Sequence, residues 1–99
     1  MQTILEIPVR EGTEDALVEF FRTEGVFELA GRNEGFLGAR LLVPAEQGEP
    51  FVVVAEWHNE AAIQRWVDDP AREGLDGPLA GFLTGEPVRK RYSVALAWP

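Results

Sequence analysis

The 99-residue sequence contains no cysteine and a single histidine, His58. Without cysteine the chain cannot perform thiol catalysis, form disulfides or hold zinc and iron–sulfur clusters through thiolates. A single histidine also excludes any metal site that needs two histidine ligands from one chain. We therefore expect no metal site in this protein.

Basic residues are scarce as well, because 9 Lys and Arg stand against 17 Asp and Glu and give a formal net charge of −8. Nucleic acids and anionic membranes are bound mainly through basic side chains, so neither is an expected partner. The one basic cluster, Arg89 to Arg91, is predicted to be a solvated strand edge.

The sequence also lacks a long apolar run. Its longest strictly apolar runs, residues 51–55 and 94–98, fall far short of the about 20 residues that a membrane-spanning helix needs. The residues after Met1 do not form the basic and apolar regions of a secretory signal peptide. We therefore expect a cytoplasmic protein that does not bind membranes.

Strand-like segments are well represented. β-Branched and apolar side chains predict four strands, over residues 2–9, 36–44, 51–57 and 86–97. Turn-forming residues between the second and third strands predict that these two form a hairpin.

Helical spacing of apolar side chains predicts one helix over residues 14–31, with Thr13 as its N-cap and Gly31 near its end. Gly25 weakens this helix by roughly 1 kcal/mol relative to alanine. Asn59 is the predicted N-cap of a second helix.

The second helix is predicted to end at the Asp69-Pro70 pair, because proline disfavours helical geometry in the residue before it. Residues 71–83 are predicted to form one or two short helical turns, interrupted at Gly77-Pro78. The resulting order, β-α-β-β-α-β, predicts one α+β domain over residues 1–99, with a ferredoxin-like antiparallel sheet and helices on one face.

The apolar strands also predict a homodimer. Residues 51–55 do not alternate between apolar and polar, so both faces of this part of the sheet favour burial. The helices cover one face, and a second copy of the same sheet is the natural cover for the other. We therefore expect two sheets that pack face to face. The alternative is a monomer with apolar residues scattered over its surface.

Several motifs resemble the antibiotic biosynthesis monooxygenase (ABM)-like family, a family of dimeric α+β barrels. They are Gly12 before the first helix, the segment Asn-Glu-Gly-Phe-Leu-Gly-Ala-Arg at 33–40, Val-Val-Val-Ala-Glu-Trp at 52–57, Glu-Ala-Ala at 60–62, and Trp66. The resemblance spans residues 2–95 and implies a dimeric barrel. It implies three kinds of function: oxygenation of phenols or anthrones without metal or flavin, haem degradation, or action on small signalling or quinone-type molecules.

The resemblance also implies substrate-binding positions. In quinone-forming members an Asn before the strand-three Trp and a Tyr on the following helix hold the substrate together with that Trp. Here the Trp is Trp57, whereas the other two positions are Val53 and about Ile63. The resemblance therefore keeps the aromatic wall of the site but replaces two polar groups by apolar side chains.

Haem-degrading members need a Trp on the second helix, a His further along the chain and an Asn on strand one. Trp66 matches the Trp, whereas the His position falls near Asp76 and the Asn position near Leu5. Without that His the sequence offers no obvious proximal iron ligand, so the resemblance implies a protein without a cofactor more strongly than a haem enzyme.

Four polar side chains are candidates for the chemistry of such a site. Histidine changes its charge near neutral pH, so His58 is a candidate catalytic base, and Glu56 is another if its carboxylate points inward. Arg40 is a candidate for pairing with a substrate phenolate or carboxylate, and Tyr92 for donating a hydrogen bond to a substrate carbonyl. Solvated surface, ion pairing and cross-strand packing remain the structural alternatives for them.

Trp57 and Trp66 are candidates for stacking on an aromatic substrate, with Val53 and Ile63 completing an apolar pocket. Core packing is the structural alternative for both tryptophans. Together these residues predict a cofactor-independent monooxygenase that oxidises an aromatic, quinol-like or polyketide-like small molecule with O₂. The alternative is a non-catalytic dimeric barrel that binds a small apolar ligand or has a structural role.

Overall fold

The computed structural model describes all 99 residues as four strands and four helices. The strands are β1 (Gln2–Ile7), β2 (Phe36–Leu42), β3 (Phe51–Trp57) and β4 (Val88–Tyr92). They form one antiparallel sheet in the order β2-β3-β1-β4. The helices are α1 (Glu14–Thr23), α2 (Val26–Ala30), α3 (Glu60–Val67) and α4 (Pro70–Ala80). This architecture confirms the predicted α+β, ferredoxin-like fold.

The sheet has one covered face and one open face, which β3 illustrates. Phe51, Val53 and Trp57 are buried towards the helices, whereas Val52 and Val54 are half-buried on the other side. Successive side chains of a strand point to opposite faces, so the alternation assigns each residue to a face. The open face lies opposite all four helices and no element of the chain covers it.

The core consists of two hydrophobic clusters between the covered face and the helices. One surrounds Trp57, Ile63 and Trp66, and the other surrounds Ile7 and Leu17. Burial of apolar surface contributes about 25 cal/mol for each Å², so these clusters hold the helices on the sheet. No helix in the structure has the length and apolar character required to cross a membrane.

The first predicted helix is in fact two helices, because Gly25 interrupts it. Gly25 adopts a left-handed conformation with φ of 61° and becomes the N-cap of α2. Glycine adopts this geometry without the steric cost that other residues pay. Thr13 is the N-cap residue of α1, as predicted, but its side chain makes no capping hydrogen bond; its hydroxyl instead donates to the carbonyl oxygens of Arg10 and Phe82. Because Gly25 divides this segment into α1 and α2, the prediction of one helix over 14–31 was wrong.

The end of the chain also differs from prediction. Helix α4 continues through Pro78, so the expected interruption at Gly77-Pro78 is absent. β4 ends at Tyr92 rather than at residue 97, because it is an edge strand and its neighbour β1 has no residues left to pair beyond Gln2. Residues 93–99 follow without regular structure, and Leu96 and Trp98 are almost fully exposed.

The Asn59 N-cap is confirmed, since its side-chain oxygen accepts a hydrogen bond of 3.0 Å from the backbone N–H of Ala62.

The glycine that precedes β2 is required for a steric reason. Gly35 has a φ of +92°, and a Cβ atom added there would lie 2.7 Å from the Cβ atom of Ala62. Only glycine fits this position, which brings the 33–38 segment close against α3.

Candidate functional site

A cavity of about 760 Å³ lies between the covered face of the sheet and the helices. Its size falls within the roughly 300–1,000 Å³ that small-molecule sites occupy. Of its 25 lining residues, 16 are hydrophobic. The cavity is therefore suited to an apolar or aromatic molecule rather than to a strongly hydrated one.

The floor of the cavity is open because small residues face it. Ala39 of β2 and Ala55 of β3 are paired across the sheet, and both line the cavity. Their methyl groups leave the space that larger side chains would fill. Aromatic rings form much of the wall around this space: Phe20, Phe21, Phe27, Phe36, Trp57 and Trp66.

The Trp57 ring is fixed in place by its own contacts. Its indole N–H donates a hydrogen bond of 3.0 Å to the hydroxyl oxygen of Thr3, and both residues are buried. The Phe36 ring packs edge-on against it, with ring centroids 5.1 Å apart. A tryptophan held in this way keeps its orientation without help from a ligand.

The Thr3–Trp57 hydrogen bond gives a prediction for stability. Thr3→Val keeps the shape of the side chain but leaves the buried indole N–H without its acceptor, which should lower the free energy of unfolding by about 1–3 kcal/mol. Chemical denaturation of wild type and variant measures this loss. In a Trp57→Phe background no indole N–H remains, so the same Thr3→Val change should cost much less. An equal cost in the two backgrounds would show that the hydrogen bond does not stabilise the fold.

Three of the residues predicted to bind substrate line this cavity: Val53, Trp57 and Trp66. Ile63 does not, because it is fully buried in the core beside the two tryptophans. The cavity lining also includes Leu5 and Asp76, the positions where the resemblance placed an Asn and a His in haem-degrading members.

The polar candidates lie outside the cavity lining. Glu56 is on the open face, where its carboxylate accepts a hydrogen bond from Gln2, and Arg40 is exposed on the same face. Tyr92 is half-exposed at the end of β4, and His58 is exposed directly after β3. A single chain therefore does not bring these four residues together, and their chemical roles stay predictions.

Four charged residues line the cavity instead: Arg72, Asp76, Glu86 and Arg89. Arg72 is held by the carbonyl oxygen of Val67 at 2.9 Å and by the carboxylate of Asp76 at 3.4 Å. Arg89 is half-buried, and burial lowers its pKa. The positive charges of Arg72 and Arg91 lower it further, and Asp76 opposes them.

The sequence did not single out Arg89 as a site residue, because it falls in the basic cluster predicted to be a solvated edge. The signal that could have assigned Arg89 to the cavity is the alternation of side chains between the two faces of β4. Arg89 is the Cα partner of Leu5, which faces the cavity. Lys90 is the Cα partner of Ile4 on the open face, where it forms an ion pair with Glu6. The register of β4 against β1 determines which face of the sheet carries the Arg89 side chain, and the sequence alone does not give that register.

The fold and the cavity define the class: a ferredoxin-like α+β protein with a partly open, mainly apolar cavity between sheet and helices. The family model for antibiotic biosynthesis monooxygenase matches residues 3–73. The chain therefore belongs to the antibiotic biosynthesis monooxygenase family, as the sequence resemblance predicted.

Solved structures show the same fold over nearly the whole chain. SnoaB from Streptomyces nogalater, described as a cofactor-independent oxygenase, is 18% identical with a TM-score of 0.78, over 99% of this chain and 95% of SnoaB. A structure of MhuD with two manganese protoporphyrin IX molecules bound per active site is 27% identical with a TM-score of 0.79, over 99% and 97% of the two chains.

A local sequence match points to a haem-degrading protein. The mycobilin-producing heme oxygenase of Mycobacterium tuberculosis is 43% identical over 37 residues. The match covers 37% of this chain and 35% of that protein. It therefore spans about a third of the length of this curated relative, and the activity of the relative does not transfer with it.

Proposed function

We propose that this protein is a cofactor-independent monooxygenase that oxidises an aromatic, quinol-like or polyketide-like small molecule with O₂. The observation that carries the proposal is the cavity between sheet and helices, with its aromatic wall and small-residue floor. Such a space binds a flat aromatic molecule and keeps water away from it, which favours the reaction of an electron-rich substrate with O₂ over side reactions.

The reaction needs no external reductant, because the substrate supplies the electrons. With an anthrone, one oxygen atom of O₂ enters the ring CH₂ group, which becomes a carbonyl, and the other oxygen atom leaves as water with the two hydrogens. The contribution of the protein is to orient the substrate and to favour its deprotonated form. Trp57, Trp66 and Val53 are the proposed walls that orient the ring.

Haem does not fit this cavity as a working cofactor. Haem iron in proteins is held by His, Cys, Met or Tyr, and none of these residue types lines the cavity. Asp76 lies near the position that a His occupies in the haem-degrading members of the family, and its carboxylate is paired with Arg72. We therefore assign no step to haem, even though the MhuD structure holds manganese protoporphyrin IX and the mycobacterial relative is a heme oxygenase.

We also propose that the active form is a homodimer in which the open faces of two sheets pack together. The open face carries half-buried Ile4, Val52 and Val54 at its centre. A 99-residue chain buries only a modest fraction of its surface by itself, so covering this face adds apolar burial that one chain lacks. Leu42 and Val88, both about half exposed, extend the same surface.

Oxygen uptake tests the proposed activity directly. Purified protein is incubated with an anthrone or a dihydroxynaphthalene, with no added cofactor and with a metal chelator present. Uptake well above the protein-free rate, with formation of the quinone, is the expected result. Tight binding of the same molecules with uptake equal to autoxidation would contradict the oxygenase and favour the alternative, a non-catalytic binding protein.

A further inference from the structure

The half-buried side chain of Arg89 has no hydrogen-bond or ion-pair partner within the protein. The structure contains no hydrogen bond and no ion pair from this side chain. Arginine stays protonated in proteins, so the charge persists even though burial lowers its pKa. No nitrogen of this guanidinium is fully buried, because the structure has no fully buried side-chain nitrogen without a partner. The group is therefore partly desolvated yet still open to a ligand in the cavity, and an anion there would pair with it.

The register of the sheet directs this charge into the cavity. Arg89 is paired with Leu5 in the β1–β4 ladder, and both residues line the cavity. Its neighbours Val88 and Lys90 point to the open face, where Lys90 forms an ion pair of 3.6 Å with Glu6. The three-residue basic cluster therefore has one member inside the cavity.

The other two arginines near Arg89 are already paired. Arg72 is paired with Asp76, and Arg91 contacts Glu60 at 3.2 Å. Glu86 lies at the edge of the cavity, is exposed and forms no ion pair. Arg89 is thus the one arginine in the wall of this mainly apolar cavity without an ion-pair partner, in a protein whose net charge is −8.

A net negative protein repels anions at long range, so an unpaired cation in its cavity favours them only at short range. The planar guanidinium donates parallel hydrogen bonds to a carboxylate and single ones to a phenolate. The apolar wall requires the rest of the ligand to be apolar or aromatic. These requirements are met together by an aromatic molecule that carries an anionic oxygen.

We propose that Arg89 is a specificity-determining residue that binds the anionic oxygen, carboxylate or phenolate, of an aromatic ligand in the cavity. This inference rests on the proposed function, because it takes the cavity as the substrate site. It narrows the substrate class from aromatic molecules in general to those with an anionic group at the end of the cavity next to β4.

Calorimetric titration with two matched ligands tests the inference. 2-Naphthoate carries the anionic oxygen, and 2-naphthamide is its neutral counterpart of nearly the same shape. A hydrogen bond to a charged group contributes about 1.5–3 kcal/mol, which corresponds to roughly a 10- to 100-fold preference of wild type for the anion. Arg89→Gln should remove this preference while leaving the affinity for 2-naphthamide within about twofold.

Lys90→Gln is the matched control, since it removes one positive charge from the adjacent position on the opposite face. It should leave the preference for the anion intact. A preference lost equally in both variants would overturn the inference, because it would reflect net charge rather than contact. Equal affinity of wild type for the two ligands would also overturn it, while the cavity would remain a binding site. Failure of both ligands to bind wild type would overturn the proposed function itself.

A phenol distinguishes the two sources of the anionic oxygen. If Arg89 binds phenolates, the pKa of 2-naphthol, followed by absorbance, should fall on binding to wild type and not on binding to Arg89→Gln. A preference for 2-naphthoate without any fall in the pKa of 2-naphthol would restrict the ligand to carboxylates. Both results support the assignment of Arg89.

Discussion

Replacing Trp66 by alanine should weaken the binding of a neutral aromatic ligand such as 2-naphthamide by about 10- to 100-fold. Stacking of aromatic rings contributes about 0.5–1.5 kcal/mol beyond the burial of area. The lost apolar contact adds about 25 cal/mol for each Å² that stays in water. Each 1.4 kcal/mol changes an affinity by about tenfold. Titration calorimetry measures the change directly.

The sequence offers a control with the same substitution. Trp98 is 97% exposed, whereas Trp66 is 7% exposed and lines the cavity. Trp98→Ala should therefore leave the affinity unchanged. Wild-type affinity in Trp66→Ala would mean that the ligand does not occupy this cavity.

The substitution also has a cost for stability, which the experiment must separate from binding. Removing a buried tryptophan lowers the free energy of unfolding by about 3–5 kcal/mol, a large part of the stability of a small domain. Trp66→Phe keeps an aromatic ring in the cavity wall and should lose less ligand affinity and less stability than Trp66→Ala. Circular dichroism establishes that each variant is folded at the temperature of the titration.

Replacing Val54 by arginine should convert the proposed dimer into monomers, with a dissociation constant raised by at least about 100-fold. Val54 lies on the open face, with Ile4 of β1 and Arg40 of β2 as its Cα partners. Facing sheets would bury two new charges without partners, and each such charge costs several kcal/mol. Since 1.4 kcal/mol is about tenfold in affinity, the expected change is large.

Sedimentation velocity over a range of concentrations measures this change. Wild type should sediment as two 11.0-kDa chains, and Val54→Arg as one. Ala61→Arg adds the same charge at an exposed position of α3, away from the open face, and should remain dimeric. Monomeric wild type, or a Val54→Arg variant that dimerises normally, would contradict the dimer.

Local sequence patterns predicted the strands and helix caps whose causes are local. The apolar run of β3 was predicted with its observed bounds, and the Asn59 N-cap was confirmed. β4 was predicted too long, because residues 94–98 have the composition of a strand but no strand to pair with. The composition of a segment does not tell whether a hydrogen-bonding neighbour exists.

The cavity was only partly predictable for a similar reason. The resemblance pointed to Trp57, Trp66 and Val53, and all three line it. The sequence could not place Arg89 in the cavity. The face on which its side chain lies depends on the pairing of β4 with β1, which brings together residues distant in the sequence. The open-face position of Glu56 follows from the same kind of long-range register.

Two of the three tryptophans are buried and the third is almost fully exposed, so the intrinsic fluorescence of the protein can report on the cavity. Trp57 and Trp66 are 3% and 7% exposed, whereas Trp98 is 97% exposed. Indole fluorescence shifts to longer wavelength in water, so the emission spectrum combines two blue-shifted rings with one red-shifted ring. Trp98→Phe removes the red component and leaves a chain whose entire tryptophan emission comes from the cavity wall. Quenching of that emission then reads occupancy of the cavity without any attached dye.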